Sequence, residues 1–442
     1  MDVATLERVE PIEQETMRQI SWRLMPILVI GYFAAYLDRV NVGMAAATMN
    51  PQLGFSNAVF GFGAGLFFLG YFLGEVPSNL ILNVVGARRW LARIMITWGL
   101  ISGFTAFVWS EWSYYTVRIL LGLAEAGFMP GVVLYMTWWF PSYYRARIVG
   151  IFYSASVVSG IIGPPISGLL LGMEGILGLH GWQWLFILEA VPAVIMCFVF
   201  LTLLTDRPEN ATWLTPVQRT WLAERIASEM AQREAVRKFT LAQVACNWSV
   251  WWLAVAMIGH SGAIYGMLMF LPLIVKGLGV STSGMIGVVT AIPSVFAFAA
   301  LIYWGFHSDK TGERTWHAAS GWLLGAVGLA SCVMLNGHPV VMMVALTFAM
   351  VGAQSATPCY WALPSALLTG TAAAVGLAMV NAIGNLGGWA APYAFGLVKD
   401  TTGSDTISLL ALAVFPVLAA IGVILAGHDR RMERIPSRQP PA

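Results

Sequence analysis

Charge is what this sequence has least of. Asp, Glu, Lys and Arg make up only 10% of its 442 residues, against 58% that are hydrophobic, and the mean hydropathy is +0.72. A soluble domain carries about 25% charged residues, so water is excluded as the solvent for most of this chain. Cysteine is scarce as well. Cys197, Cys246, Cys332 and Cys359 form no C-x-x-C pair, which excludes a disulfide framework and a thiolate metal site and leaves them as small apolar residues in or beside spans. The six His are dispersed, with no H-E-x-x-H. With neither a nucleophile nor a metal constellation, no enzyme and no cofactor is expected, and the basic residues form no patch for nucleic acid. The N-terminus, with Glu7, Glu10, Glu13 and Glu15, lacks the apolar core and cleavage site of a signal peptide. The first span is therefore expected to act as an uncleaved anchor.

What is there is length of apolar run. A hydrocarbon core about 30 Å thick needs about 20 apolar residues per helix. Twelve stretches qualify: 24–48, 58–84, 90–110, 114–138, 148–172, 183–204, 248–275, 284–305, 317–336, 339–365, 371–397 and 407–427. They are too long and too continuously apolar for a barrel, whose strands alternate over about ten residues. Twenty of the 24 Lys and Arg fall in the N-terminus, every second loop and the C-terminal tail. The opposite loops hold only Lys276 and Lys399, and Arg39 and Arg118 lie inside spans. The positive-inside rule then places both termini in the cytoplasm and the chain in the inner (plasma) membrane as a multi-pass protein. Expected domains are a cytoplasmic N-terminal segment (1–23), a six-helix bundle (24–205), a cytoplasmic central loop (206–246), a second six-helix bundle (247–427) and a cytoplasmic tail (428–442). In the central loop Thr215 to Lys238 opens on Thr-Pro and carries charges at helical spacing, which predicts a helix lying at the membrane surface.

The halves are related. Asn83, Gly86 and Arg88 after span 2 and Asp309, Gly312 and Arg314 after span 8 share an offset of 226, an internal repeat at the same position in each half. This loop resembles the G-x-x-x-D-R-x-G-R-R loop of the major facilitator superfamily, with Asn83 standing where the acid usually sits. A gating role therefore rests more on Asp309, with Gly312 and Arg314, than on Gly86 and its neighbours. Spans 5 and 11 carry glycine-proline runs, Gly160 to Gly168 and Gly384 to Gly396, suited to close packing and bending.

Ionisable residues inside a membrane are costly and usually functional. Six emerge: Asp38 and Arg39 in span 1, Glu75 in span 2, Arg118 and Glu125 in span 4, and Glu189 in span 6. Spans 7 to 12 have none. Arg118 and Glu125, seven residues apart, share a helix face about 10 Å apart, too far for a direct pair but near enough to line one cavity. Tyr32, Tyr36, Arg39 and Gly43 lie on one face of span 1, and Asp38 points about 100° away with Asn41. Two Arg make a receptor for a carboxylate, and the acids offer sites for protons. The competing reading is that the Arg merely neutralise Asp38 and Glu125 in a packed bundle. Glu75 is as well suited to binding an Arg of another helix as to function, and Glu189 reads as a hydrogen-bonded packing residue.

Asp38-Arg39-Val40-Asn41-Val42-Gly43, Gly70 to Asn79, Arg118-x3-Gly122-x2-Glu125-Ala126, Thr205-Asp206-Arg207-Pro208, Trp361 to Pro364 and Asn381 to Gly388 together resemble the anion:cation symporter family of that superfamily. Within it they look most like bacterial permeases for tartrate, phthalate and 4-hydroxyphenylacetate. The resemblance implies an all-α fold of twelve helices in two six-helix bundles, Asp38 and Glu125 as proton-linked acids, and Arg39 and Arg118 on the substrate carboxylate. Tyr36 and Tyr71 would line the pocket, and His260 stands where related glutamate carriers have an Arg in span 7. Asn381 and Asn385 could offer amides to the substrate, and Trp361 could stack on it. The expected function is proton-coupled uptake of a small organic anion by alternating access, by a monomer whose partners are that anion, protons and the lipid bilayer. The alternative is a proton-coupled exporter of anionic or amphiphilic compounds.

Overall fold

The computed structural model describes residues 11–235, 247–335, 337–367 and 371–427, and is helical with no strand among them. The tail 428–442, residues 1–10 of the N-terminal segment and the end of the expected surface helix, 236–238, lie outside the described residues, as does Cys246. Twelve spans are present. In the first half they are Pro11–Leu53, Asn57–Val85, Ala87–Phe104, Glu111–Glu125 with Phe128–Trp139, Ser142–Leu171 and Gly181–Leu203. In the second they are Trp248–Gly277, Ser283–Thr311, Thr315–Ser331, Pro339–Leu367, Thr371–Thr402 and Asp405–Leu412 with Val414–Ala426. Ten of them are long and apolar enough to cross a membrane by length and composition alone. Leu80, Val84, Phe198, Phe296 and Val327 point outward, each more than half exposed, as lipid-facing side chains do.

The pairing of helices repeats between the halves. Span 2 packs on 4, 3 on 6, and 1 on 5 and 6; correspondingly 8 packs on 10, 9 on 12, and 7 on 11 and 12. Across the junction, span 2 meets 11, span 5 meets 8, and span 1 meets 7. Each of these contacts maps onto itself or another when the halves are exchanged, so a pseudo-two-fold axis runs between spans 1 and 7.

Span 4 departs from the continuous helix expected over 114–138. It stops at Glu125 and restarts at Phe128, with Ala126 at ψ 132° and Gly127 left-handed at φ 85°. Two causes are local. Pro130 has no N–H for the carbonyl four residues back, at Ala126, and Ser78 of span 2 packs so closely that a Cβ on Gly127 would lie 2.3 Å from its Oγ. Pro416 stands in the same relation to Leu412, where span 12 divides.

A helix is observed in the central loop over Pro216–Ala235. Its start is a reciprocal cap, in which Gln218 N donates to Thr215 Oγ1 at 3.3 Å and Thr215 N to Gln218 Oε1 at 3.0 Å. The connection before it is packed onto the first half: Trp213 stacks on Trp139 at 5.5 Å and Gln19 donates to its carbonyl.

Candidate functional site

The charges of spans 1 and 4 meet where the two halves join. Arg39 donates from Nε and Nη2 to Glu125 Oε1 at 2.8 and 2.5 Å. Glu125 is 1% exposed and its Oε2 has no partner among the described residues. The break in span 4 follows Glu125 directly, so this carboxylate ends a helix, where the backbone dipole disfavours an anion and the Arg39 cation offsets it. Arg118 is not part of that pair, as the seven-residue spacing predicts. It is 1% exposed, donates only from Nη2 to the Ala64 carbonyl at 3.3 Å, and leaves Nε unpartnered among the described residues. The Phe67 ring lies between the two cations, 5.5 Å from the Arg39 guanidinium and 5.1 Å from that of Arg118, a pairing of aromatic face with cation that holds both in place. Tyr71 lies under Arg39 at 5.1 Å.

The second half contributes Tyr265, whose hydroxyl accepts from Arg39 Nη1 at 3.3 Å, 226 residues away. That separation equals the offset of the loop repeat, so Tyr265 is the counterpart of Arg39 under the pseudo-symmetry. Sequence reasoning sought a charged or titratable group in span 7 and passed over this hydroxyl; applying the 226 offset to Arg39 would have found it. Gly43 and Met269 touch with the same offset. Tyr36 also reaches Tyr265 and packs edge-on to Tyr32 at 6.2 Å.

Asp38 faces the other way, as expected, into span 3. It accepts from Trp98 Nε1 at 2.5 Å, Asn41 Nδ2 at 2.8 Å and Ser102 Oγ. Glu75 meets no Arg. Its Oε1 accepts from Asn381 Nδ2 of span 11 at 3.1 Å, a polar contact between the halves, and its Oε2 is unpartnered among the described residues. Asn385, one turn from Asn381, has its Nδ2 unpartnered among the same residues. His260 is not brought to this cluster by its own contacts: its Nδ1 accepts from Trp322 Nε1 at 3.3 Å and its ring stacks on Tyr360 at 6.4 Å, both within the second half. Trp361 packs on Tyr360 at 5.4 Å.

The halves close against each other at the end remote from the termini. Along spans 2 and 11, Asn57 meets Gly396 and Asp400, Gly61 meets Pro392, Gly65 meets Trp389, Phe68 meets Gly388 and Glu75 meets Asn381. Each step down one helix is matched by a step up the other. Glycine permits the approach, since a Cβ on Gly61 would fall 2.2 Å from the Pro392 carbonyl oxygen. Lys276 adds a bond to the Ala47 carbonyl at 2.6 Å.

Asp400, past the apolar stretch of span 11, caps the start of span 2. It accepts from Ala58 N at 2.7 Å, Asn57 Nδ2 at 2.7 Å and Asn57 N at 3.1 Å. Burial pushes its carboxyl upward, but these donors outweigh it and hold the group below the usual carboxylate range. A carboxyl depressed in the closed state favours closure above its ordinary value, near 3.9, and loses that contribution as pH falls through the depressed one. The cap is largely solvated, so Asp400→Asn is expected to cost about 1 kcal/mol of closure, or about fivefold in the closed-to-open ratio. Distances between spin labels on the outer ends of spans 2 and 11 should lengthen at neutral pH in the variant.

The repeated loops differ in a way the sequence did not show. In the second, Asp309 pairs with Arg314 at 2.5 Å and Gly312, at φ 69°, ends span 8. In the first, Gly86 ends span 2 at φ 93° and the missing acid is supplied from elsewhere: Asp206 Oδ1 accepts from Arg88 N at 2.7 Å, capping span 3. Asn83 donates to the Asn79 carbonyl instead.

The profile of the Major Facilitator Superfamily matches residues 28–392. A protein of Agrobacterium vitis named for proposed tartrate transport is 48% identical over 93% of this chain and 94% of its own length. A quinolone resistance transporter of Acinetobacter baumannii is 38% identical over 92% of this chain and 94% of its own. Among solved structures, a D-xylose–proton symporter superposes with a TM-score of 0.74 at 16% identity, covering 93% of this chain and 99% of that one, which speaks for the fold. Twelve spans in two exchanged halves, a loop repeated at one offset and these matches lead to one conclusion: this chain is a membrane transporter and not an enzyme, and it belongs to the Major Facilitator Superfamily, among permeases of the anion:cation symporter type.

Proposed function

We propose that this protein takes up a small hydroxylated carboxylate together with protons, by alternating access of its two halves around the Arg39–Glu125 site. The observation that carries the reading is Arg118, a buried guanidinium with no carboxylate partner among the described residues and an unpartnered Nε. A buried charge with no directly bonded counter-charge is costly, and a substrate carboxylate would pair with it. Asn381 and Asn385 supply amides for hydroxyl groups in the otherwise uncharged second half, and the relative named for tartrate fits that chemistry.

In the mechanism, Glu125 and the substrate compete for Arg39. With Glu125 ionised, the guanidinium is held by it. A proton on Glu125 removes the charge that holds Arg39, whose fork turns to the substrate carboxylate. Binding of anion and proton together leaves the site compensated, so that the halves can rock from one side to the other. Asp38 serves as a second proton-linked acid, behind the site. With the termini cytoplasmic, the closed end of spans 2 and 11 faces outward.

A thermal-shift screen of the purified protein tests the substrate class. A ligand at 100 times its Kd stabilises by about 2.7 kcal/mol, so tartrate-like acids should raise the melting temperature and their amides should not. The second reading, export, draws on the quinolone resistance relative. Stabilisation by amphiphilic drugs, with none by carboxylates, would favour it.

A further inference from the structure

Glu189 takes no part in the site described so far. It lies on span 6, 3% exposed, with Oε1 accepting from Ser167 Oγ of span 5 at 2.7 Å. Its other oxygen, Oε2, has no partner among the described residues. Between Glu189 and Asp38 stands Asn41, whose amide donates to Asp38 Oδ1 and also reaches Glu189. Asn41 Oδ1 is unpartnered too. Each buried acceptor left without a hydrogen in this way costs about 1–3 kcal/mol.

The two acids have opposite surroundings. Asp38 receives three donors, from Trp98, Ser102 and Asn41, a setting suited to an ionised, acceptor-only carboxylate. Glu189 has one carboxyl oxygen with no donor among the described residues, a setting suited to a carboxylic acid. A proton on Glu189 Oε2 turns that oxygen from an acceptor without a donor into a donor. We propose that Asp38 and Glu189 are the two ends of one proton-holding unit bridged by Asn41, with Glu189 carrying the proton while Asp38 is ionised.

Turning the Asn41 amide over reverses the assignment. Oδ1 then accepts from a protonated Asp38, and Nδ2 donates to an ionised Glu189. One carboxyl loses a proton and the other gains it, with no further reactant. The charged groups facing the unit are Arg118 and Glu125 of span 4, both acting on Asp38, while among the described residues spans 3 and 5 present Trp98, Ser102 and Ser167. The inference deepens the proton-coupled reading by giving the transported proton a second holder, and its test needs no transport, so the two stand or fall separately.

Infrared spectra of the purified full-length protein at neutral pH, in ordinary and heavy water, read the protonated-carboxyl stretch. The wild type should show a buried, deuterium-sensitive band that Glu189→Gln removes. Asp38→Asn should shift the band, because Asn41 then answers to a different neighbour. If Glu189→Gln does not fold, Ser167→Ala should shift the band by removing the donor to Oε1. A wild type with no such band overturns the proposal, as does a band indifferent to Asp38→Asn or to both other substitutions.

Discussion

Glu125→Gln carriers will exchange substrate across a membrane but will not concentrate it. Gln occupies the place of Glu125 without ever ionising, so Arg39 loses the anion that holds it at 2.5 Å and stays available to the substrate at every pH. In the wild type, one linked proton should make apparent affinity fall by up to about tenfold per unit of rising pH above the carboxyl's titration range. In the variant that dependence disappears. Counterflow of labelled substrate should survive, while accumulation driven by a pH gradient falls to equilibration. Retained uphill accumulation would remove Glu125 from the coupling mechanism. The break at Ala126 and Gly127 sharpens the expectation, because a carboxylate at a helix end sits in the field of unpaired carbonyls and depends on Arg39 for compensation.

Arg118→Ala should be the most damaging substitution for binding. Removing one partner of a buried charge pair costs about 3–5 kcal/mol, which corresponds to a rise of about 10² to 10³ or more in apparent KM. Arg118→Lys keeps the charge but loses the planar fork and the stacking on Phe67 at 5.1 Å, since an ammonium presents a point charge rather than paired donors. Its loss should be about 10- to 100-fold, the equivalent of one charge-assisted hydrogen bond. Competition by unlabelled substrate in counterflow measures both. Unchanged affinity in the Lys variant would show that Arg118 acts as packing or as a diffuse charge, not as the anchor of a carboxylate.

The parts of this account that were legible in the sequence are those governed by local composition and period. Apolar run length gave the spans, a Thr-Pro pair gave the central-loop helix, and helical spacing put Asp38 on a different side of span 1 from Arg39. The parts that were not legible depend on contacts between distant segments. Nothing local in span 1 says that Arg39 will pair with Glu125, 86 residues on, or that Asn381 will meet Glu75 rather than an Arg. Asp206 could replace the acid missing at Asn83 only because the end of span 6 comes to the start of span 3. The break in span 4 had a signal, Gly127 followed by Pro130, but an uninterrupted apolar run hides it, since hydropathy does not register a missing N–H. Tyr265 was hidden for a different reason: it is uncharged, and only the internal repeat connects it to Arg39.

If a carboxylate and a proton enter through one site shared by Arg39 and Glu125, as proposed, the two cargoes must move together. Purified protein in liposomes, given an acidic exterior and labelled tartrate with a pH-sensitive dye inside, measures both cargoes together. The prediction is that tartrate accumulates above its external concentration only while the exterior is the more acidic side, with the interior acidifying in step. Accumulation without proton movement, or net tartrate efflux in exchange for entering protons, would contradict it.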